Sequence, residues 1–339
     1  MSTRGTTARF VSTALGGLIA VSFVALSAGS VWIPPGDVLR VLAAHLTPFG
    51  DLPDAMVDAI VWNIRMPRLV VASVVGATLA GGASALQGTF RNPIVDGQLI
   101  GLSAISAIGA LLGFWAGYAT VGPEAAIVGG ALVGAAGSWF VARTARHDDT
   151  GFGRLVLIGI AIGLSVSAMV ATASIAIHDP RIPDVTFWFF GGLGTATWTT
   201  AAWVAALGGI GLITVAARSS RIDILGLGER AAQHVGVDVG VVVTTVTAIV
   251  GFGVGATVGA AGVIGFVGLV AARVVHHRVG PHHSTTIPVS IIVGAAFLVA
   301  ADTIGRFFGH GFEVPVGLVT TILGGLYLAR LVAVGRVGP

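Results

Sequence analysis

Long apolar runs, separated by short clusters of arginine, proline and polar residues, set the rhythm of this chain. Phe10 to Ala28 carries no charge, and neither do Leu69 to Phe90, Gly97 to Pro123, Ala125 to Ala142 and Leu155 to Ile177. A helix needs roughly 20 mostly apolar residues to cross a hydrocarbon core, so each run predicts one span. Val185 to Ala217 is longer than one crossing requires. Its helix is expected near Thr195 to Ala217, after an interfacial aromatic turn holding Phe187, Trp188, Phe189 and Phe190. Val239 to Ala272 is interrupted by Gly255, Gly259, Gly262 and Gly265. It is expected to divide into two helices that turn near Gly259 to Gly262, the second being short unless it continues past Arg273. Ser284 to Ala301 and Val314 to Ala329 complete a set of ten.

Composition removes the soluble alternatives. Apolar residues make up 55 % of the 339, glycine adds 51 more, and only 10 % are charged. A typical soluble chain is about 25 % charged, and no globular surface could hide this much apolar side chain. The absence of cysteine excludes a disulfide framework and any thiolate metal or redox site. The 18 basic residues are all arginine and are scattered, which is not a nucleic-acid footprint. The chain is therefore expected to be an all-α, polytopic membrane protein of about ten transmembrane helices, forming one domain over residues 1–339.

Charge orients the bundle. With the N-terminus inside and the spans alternating, the inner side carries Arg4, Arg9, Arg91, Arg143, Arg146, Arg154, Arg218, Arg221, Arg230, Arg273, Arg278, Arg330 and Arg336. The outer side carries Arg40, Arg65, Arg68, Arg181 and Arg306. This is the bias of cytoplasmic loops, so both termini are expected in the cytoplasm. With nine spans after it, the first run is expected to be a retained anchor rather than a cleaved signal.

Three connections carry more than a turn. The outer loop from Ser30 to Asn63 contains Pro34 and Pro35 and an amphipathic patch from Asp37 to Ala44. The inner segment 218–238 alternates Ile222, Leu225, Leu227, Ala231, Ala232 and Val235 with charge, as expected for short helices lying at a membrane surface. The inner loop from Arg273 to His283 is rich in arginine and histidine.

Catalytic chemistry is missing. There is no HExxH, GxSxG or P-loop string, so no catalytic residue, no metal site and no bound cofactor is expected. Asp302 is the main carboxylate within a span. It stands four residues before Arg306, on the same helix face, where a structural ion pair is expected rather than a proton relay. His276, His277, His282 and His283 lie together at the inner side, where facing lipid or solvent is expected over holding a metal. Without a fuel site or coupling charges, the bundle is either powered by a partner or passive.

At Arg65-Met66-Pro67-Arg68 a motif begins that continues through Gly76-Ala77-Thr78-Leu79-Ala80-Gly81, Gln87, Arg91-Asn92-Pro93 and Gly101-Leu102-Ser103. In the later half come Leu225-Gly226, Ala231 and Val235-Gly236-Val237, then Gly262-Val263-Ile264-Gly265-Phe266-Val267-Gly268-Leu269. Asp302, Arg306, Glu313, Pro315-Val316-Gly317 and Gly324 follow. This ordered set, over about residues 10 to 335, resembles the permease family of ATP-driven importers for iron–siderophores, haem and cobalamin. Four positions depart from the pattern: Ala272-Arg273 replace a proline–histidine pair, His276 replaces an arginine, and Leu326 replaces a proline.

The resemblance implies a type II ABC importer permease fold in a bacterial cytoplasmic membrane. Partners are implied as well: a second permease chain, identical or homologous, two cytoplasmic ATPase subunits that use the ATP, and an external substrate-binding protein. It implies that Arg65, Arg68 and Arg306 meet the binding protein. Leu225, Gly226, Glu229, Ala231 and Gly236 would contact the ATPase. Structural roles fall to Gln87, Asn92, Pro93, Gly265, Gly268, Asp302, Glu313 and Pro315. An iron(III)–siderophore cargo is expected, with haem or cobalamin as the alternative. An ion-coupled carrier would need intramembrane charges this chain nearly lacks. A membrane-embedded enzyme would need a cluster of His, Asp or Glu at one depth, and a purely structural subunit would tolerate disruption of Leu225 to Val237.

Overall fold

The computed structural model describes residues 3–47, 54–117, 122, 124–144, 151–176, 185–308 and 314–333. Every regular element among them is helical. In chain order these are α1 (Thr3–Ser27), α2 (Pro35–Leu46), α3 (Ala55–Asp58), α4 (Met66–Thr89), α5 (Leu102–Gly117), α6 (Glu124–Thr144), α7 (Gly151–Ala176) and α8 (Val185–Phe189). Then follow α9 (Trp198–Ala216), α10 (Ser219–Gly226), α11 (Glu229–His234), α12 (Val239–Ala261), α13 (Val267–Val279), α14 (His283–Phe308) and α15 (Val316–Ala333). The ten apolar runs fall on α1, α4, α5, α6, α7, α9, α12, α13, α14 and α15. Among the described residues, six helices are long and apolar enough to cross a membrane, and Leu102–Ala116, Val156–Thr172 and Val316–Arg330 are shorter apolar stretches.

Local chemistry explains several boundaries. The Thr197 hydroxyl accepts from Thr200 N–H at 3.1 Å and opens α9, and Asp238 accepts from Val241 N–H at 3.0 Å to open α12. Hydroxyls on α12 turn back onto their own helix, as in Thr244 to Gly240 O at 2.8 Å and Thr257 to Val254 O at 2.7 Å. Such bonding removes polar groups from an apolar setting.

Two expectations change. The span expected over Leu69 to Phe90 is part of a longer helix that runs unbroken over Ala55–Thr89, into the stretch expected as the outer loop. Pro67 has no N–H to give, and just before it the ladder widens into a π-turn over Ala59–Arg65, with Met66 N–H bonding back to Val61 O. The aromatic segment is also more than interfacial. Trp188 is buried, edge-on to Phe114 at 5.4 Å between ring centroids.

The divided run breaks where expected. Gly262 ends α12 with φ +71, and a side chain there would overlap the Trp188 carbonyl. α13 then does continue past Arg273, to Val279.

α4 is the central helix. In its most apolar window 78 % of residues are buried within the chain, against 17 % in α1, which lies at the periphery of the packed helices. α14, α12, α9 and α13 pack around it, and α6 bridges α12 and α5. The α6–α12 seam is built on glycine. Side chains at Gly130 or Gly255 would each overlap the other's carbonyl, and Gly259 lies equally close to Ala126. Without a hydrophobic drive between helices in lipid, such close approach supplies the van der Waals attraction.

Candidate functional site

The two ends of the bundle carry different chemistry. At one end, α1 finishes while α4 starts and α14 finishes beside it. The last carbonyls of a helix have no partner within it. Here Arg306 Nη2 donates to Ala25 O at 3.0 Å, its Nη1 donates to Ala28 O at 3.1 Å, and Arg65 Nη1 donates to Leu26 O at 2.6 Å. Arg65 also donates to Val31 O in the chain leaving α1. Asp302 on α14 accepts from Arg68 Nη2 at 2.9 Å and pairs with Arg306 Nε at 3.2 Å. Its side chain is 5 % exposed, and those of Arg68 and Arg306 are 11 % and 14 % exposed.

The three arginines thus gather at one end, as charge counting placed them, but as an interior cluster. The resemblance implied that all three meet an external binding protein, a role that exposed side chains would serve. Burial follows from chemistry the sequence does not display: the carbonyls at the end of α1 and the Asp302 carboxylate both require cationic donors. The Asp302–Arg306 pair expected from i,i+4 spacing is present, and Arg68 is its additional partner.

At the opposite end, α10 and α11 lie across the ends of α4, α12 and α14. Ile222, Leu225 and Ala232 are buried and seat the segment on the core. Gly226, Glu229, Arg230, Ala231 and Gly236 are exposed, and so are Leu227 at 75 % and Val235 at 66 %. Leu225 therefore faces inward, whereas Leu227, which the motif did not single out, presents the apolar surface. A 3.6-residue period explains this, because Ile222 and Leu225 share one face and Leu227 lies off it. The turn between the two helices needs Gly228, whose φ is +106.

One histidine of the inner cluster has a specific partner. Asp223 on α10 accepts from the backbone N–H of His283 at 2.6 Å and lies 2.9 Å from its Nδ1. It thus caps the first turn of α14 from another element. The two residues are 60 apart in sequence, so no local pattern announced the pair. Among the described residues no group of three or more metal-ligating side chains converges.

The remaining motif residues build turns. Arg91 takes φ +48 and ends α4, with Arg91 N–H to Gly88 O at 3.3 Å and Asn92 N–H to Gln87 O at 3.0 Å. This pair of bonds is a Schellman closure, with arginine in the place glycine usually holds. Asn92 Oδ1 accepts from Ile94 N–H at 3.0 Å across Pro93. Gly265 has the Gln98 side chain lying against it, and Gly268 lies against Leu79 and Ala83 of α4. Pro315 precedes α15 and accepts from Leu318 N–H at 3.1 Å. Glu313 lies outside the described residues.

Comparison with known proteins places this architecture. Residues 17–333 match the model of the FecCD transport family. The cobalamin import system permease protein BtuC of Halobacterium salinarum is 34 % identical over 301 residues, covering 87 % of this chain and 79 % of its own length. The hemin transport system permease protein HmuU of Yersinia pestis is 33 % identical over 277 residues, covering 80 % and 83 %. The vitamin B12 import system permease protein BtuC of Escherichia coli is 30 % identical over 318 residues, covering 92 % and 91 %. A solved inward-facing structure assigned to the metal-chelate type of ABC transporter shares the fold. It has a TM-score of 0.79 at 24 % identity, over 96 % of this chain and 99 % of the other.

Proposed function

The chain belongs to the FecCD transport family, and on that premise we propose that it passes a metal tetrapyrrole of the cobalamin or haem type across a bacterial cytoplasmic membrane. As a multi-pass permease subunit of an ATP-binding-cassette importer it is not itself an enzyme, and a separate ATPase supplies the energy. The observation that carries the cargo reading is identity of 30–34 % across most of the chain to permeases named for cobalamin and hemin. Iron(III)–siderophore complexes share the bulk and the chelated metal, and they are the competing outcome.

The assembly reading follows the two ends. The α10–α11 segment, with Leu227 and Val235 outward, is the proposed contact with two ATP-using cytoplasmic subunits. The end holding Arg65, Arg68 and Arg306 would face the external binding protein, and a second permease chain would complete the translocation path. The arginine excess on the α10–α11 side supports a cytoplasmic position for that side and for both termini.

Reconstitution of the permease with its ATPase and binding protein in liposomes tests this reading. ATP-dependent uptake of cyanocobalamin or hemin, insensitive to proton and sodium ionophores, is expected. Uptake confined to a ferric siderophore would overturn the tetrapyrrole assignment. Uptake driven by an ion gradient without ATP would overturn the assignment of the energy source.

A further inference from the structure

A buried carboxylate joins the non-helical α4–α5 connection to the first turn of α13. Asp96 is 7 % exposed and lies in the connection between α4 and α5. Its Oδ2 accepts from Leu269 N–H at 2.9 Å, and its Oδ1 accepts from Gln98 N–H at 3.0 Å. Leu269 is the third residue of α13, whose N-cap position is held by Phe266 at φ +64. Phenylalanine has no side-chain acceptor, so the N–H that an N-cap residue would normally satisfy is satisfied from 173 residues away. A carboxylate there also complements the positive end of the helix.

The position of this joint gives it a mechanical meaning. From Leu269 to Val279, the last residue of α13, the chain advances ten helical steps, about 15 Å at 1.5 Å per residue. The joint therefore lies about three helical turns from the end of α13 that carries His276, His277 and Arg278. Near the start of the α4–α5 connection, Arg91 pairs with Glu229 of α11 at 3.4 Å. That pair is exposed and weak, and the firmer link is buried Ile222 of α10 resting on Gly88 at the end of α4, where the connection begins. The strong attachments lie deeper, at Asp96 on α13 and at the Gln98 side chain resting on Gly265 in the α12–α13 break.

We propose that Asp96 is a positioning residue for transport: it clamps the α4–α5 connection to the first turn of α13, so that the surface segment α10–α11 and the α12–α13 break move as one body. The inference rests on the reading of α10–α11 as the ATPase contact. It goes beyond that reading by assigning the internal element through which the contact acts.

The test uses the whole reconstituted complex. Asp96→Ala is expected to lower cargo uptake per ATP hydrolysed at least tenfold. Asp96→Asn keeps an acceptor oxygen for Leu269 N–H and should recover at least half of the ratio. The chain has no cysteine, so Gln98→Cys with Gly265→Cys offers a reversible clamp across the same joint. Oxidation should leave uptake within twofold of the reduced form, and it should restore uptake in the Asp96→Ala background. An unchanged ratio in Asp96→Ala would overturn the proposal, as would loss of uptake on oxidation with Asp96 intact. If Asp96→Ala fails to insert, oxidation with Asp96 intact decides alone. A Leu227→Arg variant separates this outcome from failure of the contact reading: if the ATPase still copurifies with it and is still stimulated, the α10–α11 assignment is wrong, whatever Asp96 does.

Discussion

Removing the Asp302 carboxylate is the sharpest probe of the arginine cluster. Asp302→Ala leaves Arg68 and Arg306 facing each other with little solvent, since the three side chains are 5–14 % exposed. One ion pair at about 4 Å is worth about 4 kcal/mol in gross Coulomb energy at an effective dielectric of 20. Taking one partner from a buried pair costs about 3–5 kcal/mol, because the stranded charge stays desolvated. At roughly 2 °C per kcal/mol, the unfolding midpoint in mild detergent should fall by about 6–10 °C. Adding Arg68→Met removes one stranded guanidinium and should recover part of that loss. Arg40→Ala is the control. Its pair with Asp37 is at the surface, Arg40 being 70 % exposed, and its loss should cost less than about 1 kcal/mol. A thermal scan of the purified chain with tryptophan fluorescence reads all three variants. If Asp302→Ala melts with Arg40→Ala, or if Arg68→Met adds a further full loss, the cluster is not the interior tie described above.

Two other outcomes are expected. Single cysteines at Leu46 and Leu227, which are 67 % and 75 % exposed at opposite ends, should label from opposite sides of the membrane, Leu227→Cys only from within. Labelling of both by an impermeant maleimide in whole cells would refute their placement on opposite sides, and labelling of Leu227→Cys alone would reverse the topology. Gly255→Val should abolish membrane accumulation of the folded chain, because its side chain would enter the Gly130 carbonyl, whereas Gly226→Ala, with nothing within 4 Å, should accumulate normally. Quantitative blotting of membranes compares the two, and equal levels would refute the close α6–α12 seam.

What this chain's sequence determined by itself is local and one-dimensional. Run length announced ten apolar helices, because crossing or filling an apolar layer depends on consecutive side chains. Arginine counting sorted the ends, i,i+4 spacing announced the Asp302–Arg306 pair, and the Asn92-Pro93 turn and the break near Gly262 were visible as breakers. Even the surface segment 218–238 stood out by its mixed periodicity, although that pattern did not say that Leu225 packs inward while Leu227 is exposed.

Only the tertiary structure decided which distant groups meet. Arg68 reaches Asp302 across 234 positions, Arg65 and Arg306 cap α1, Asp223 caps α14 and Asp96 caps α13. Each of these contacts answers an unsatisfied donor, acceptor or charge on another element. Which element comes close enough to answer depends on helix packing, and here that packing is set by the glycine seams. A buried polar group must find a partner, but nothing in its own neighbours along the chain says where that partner is.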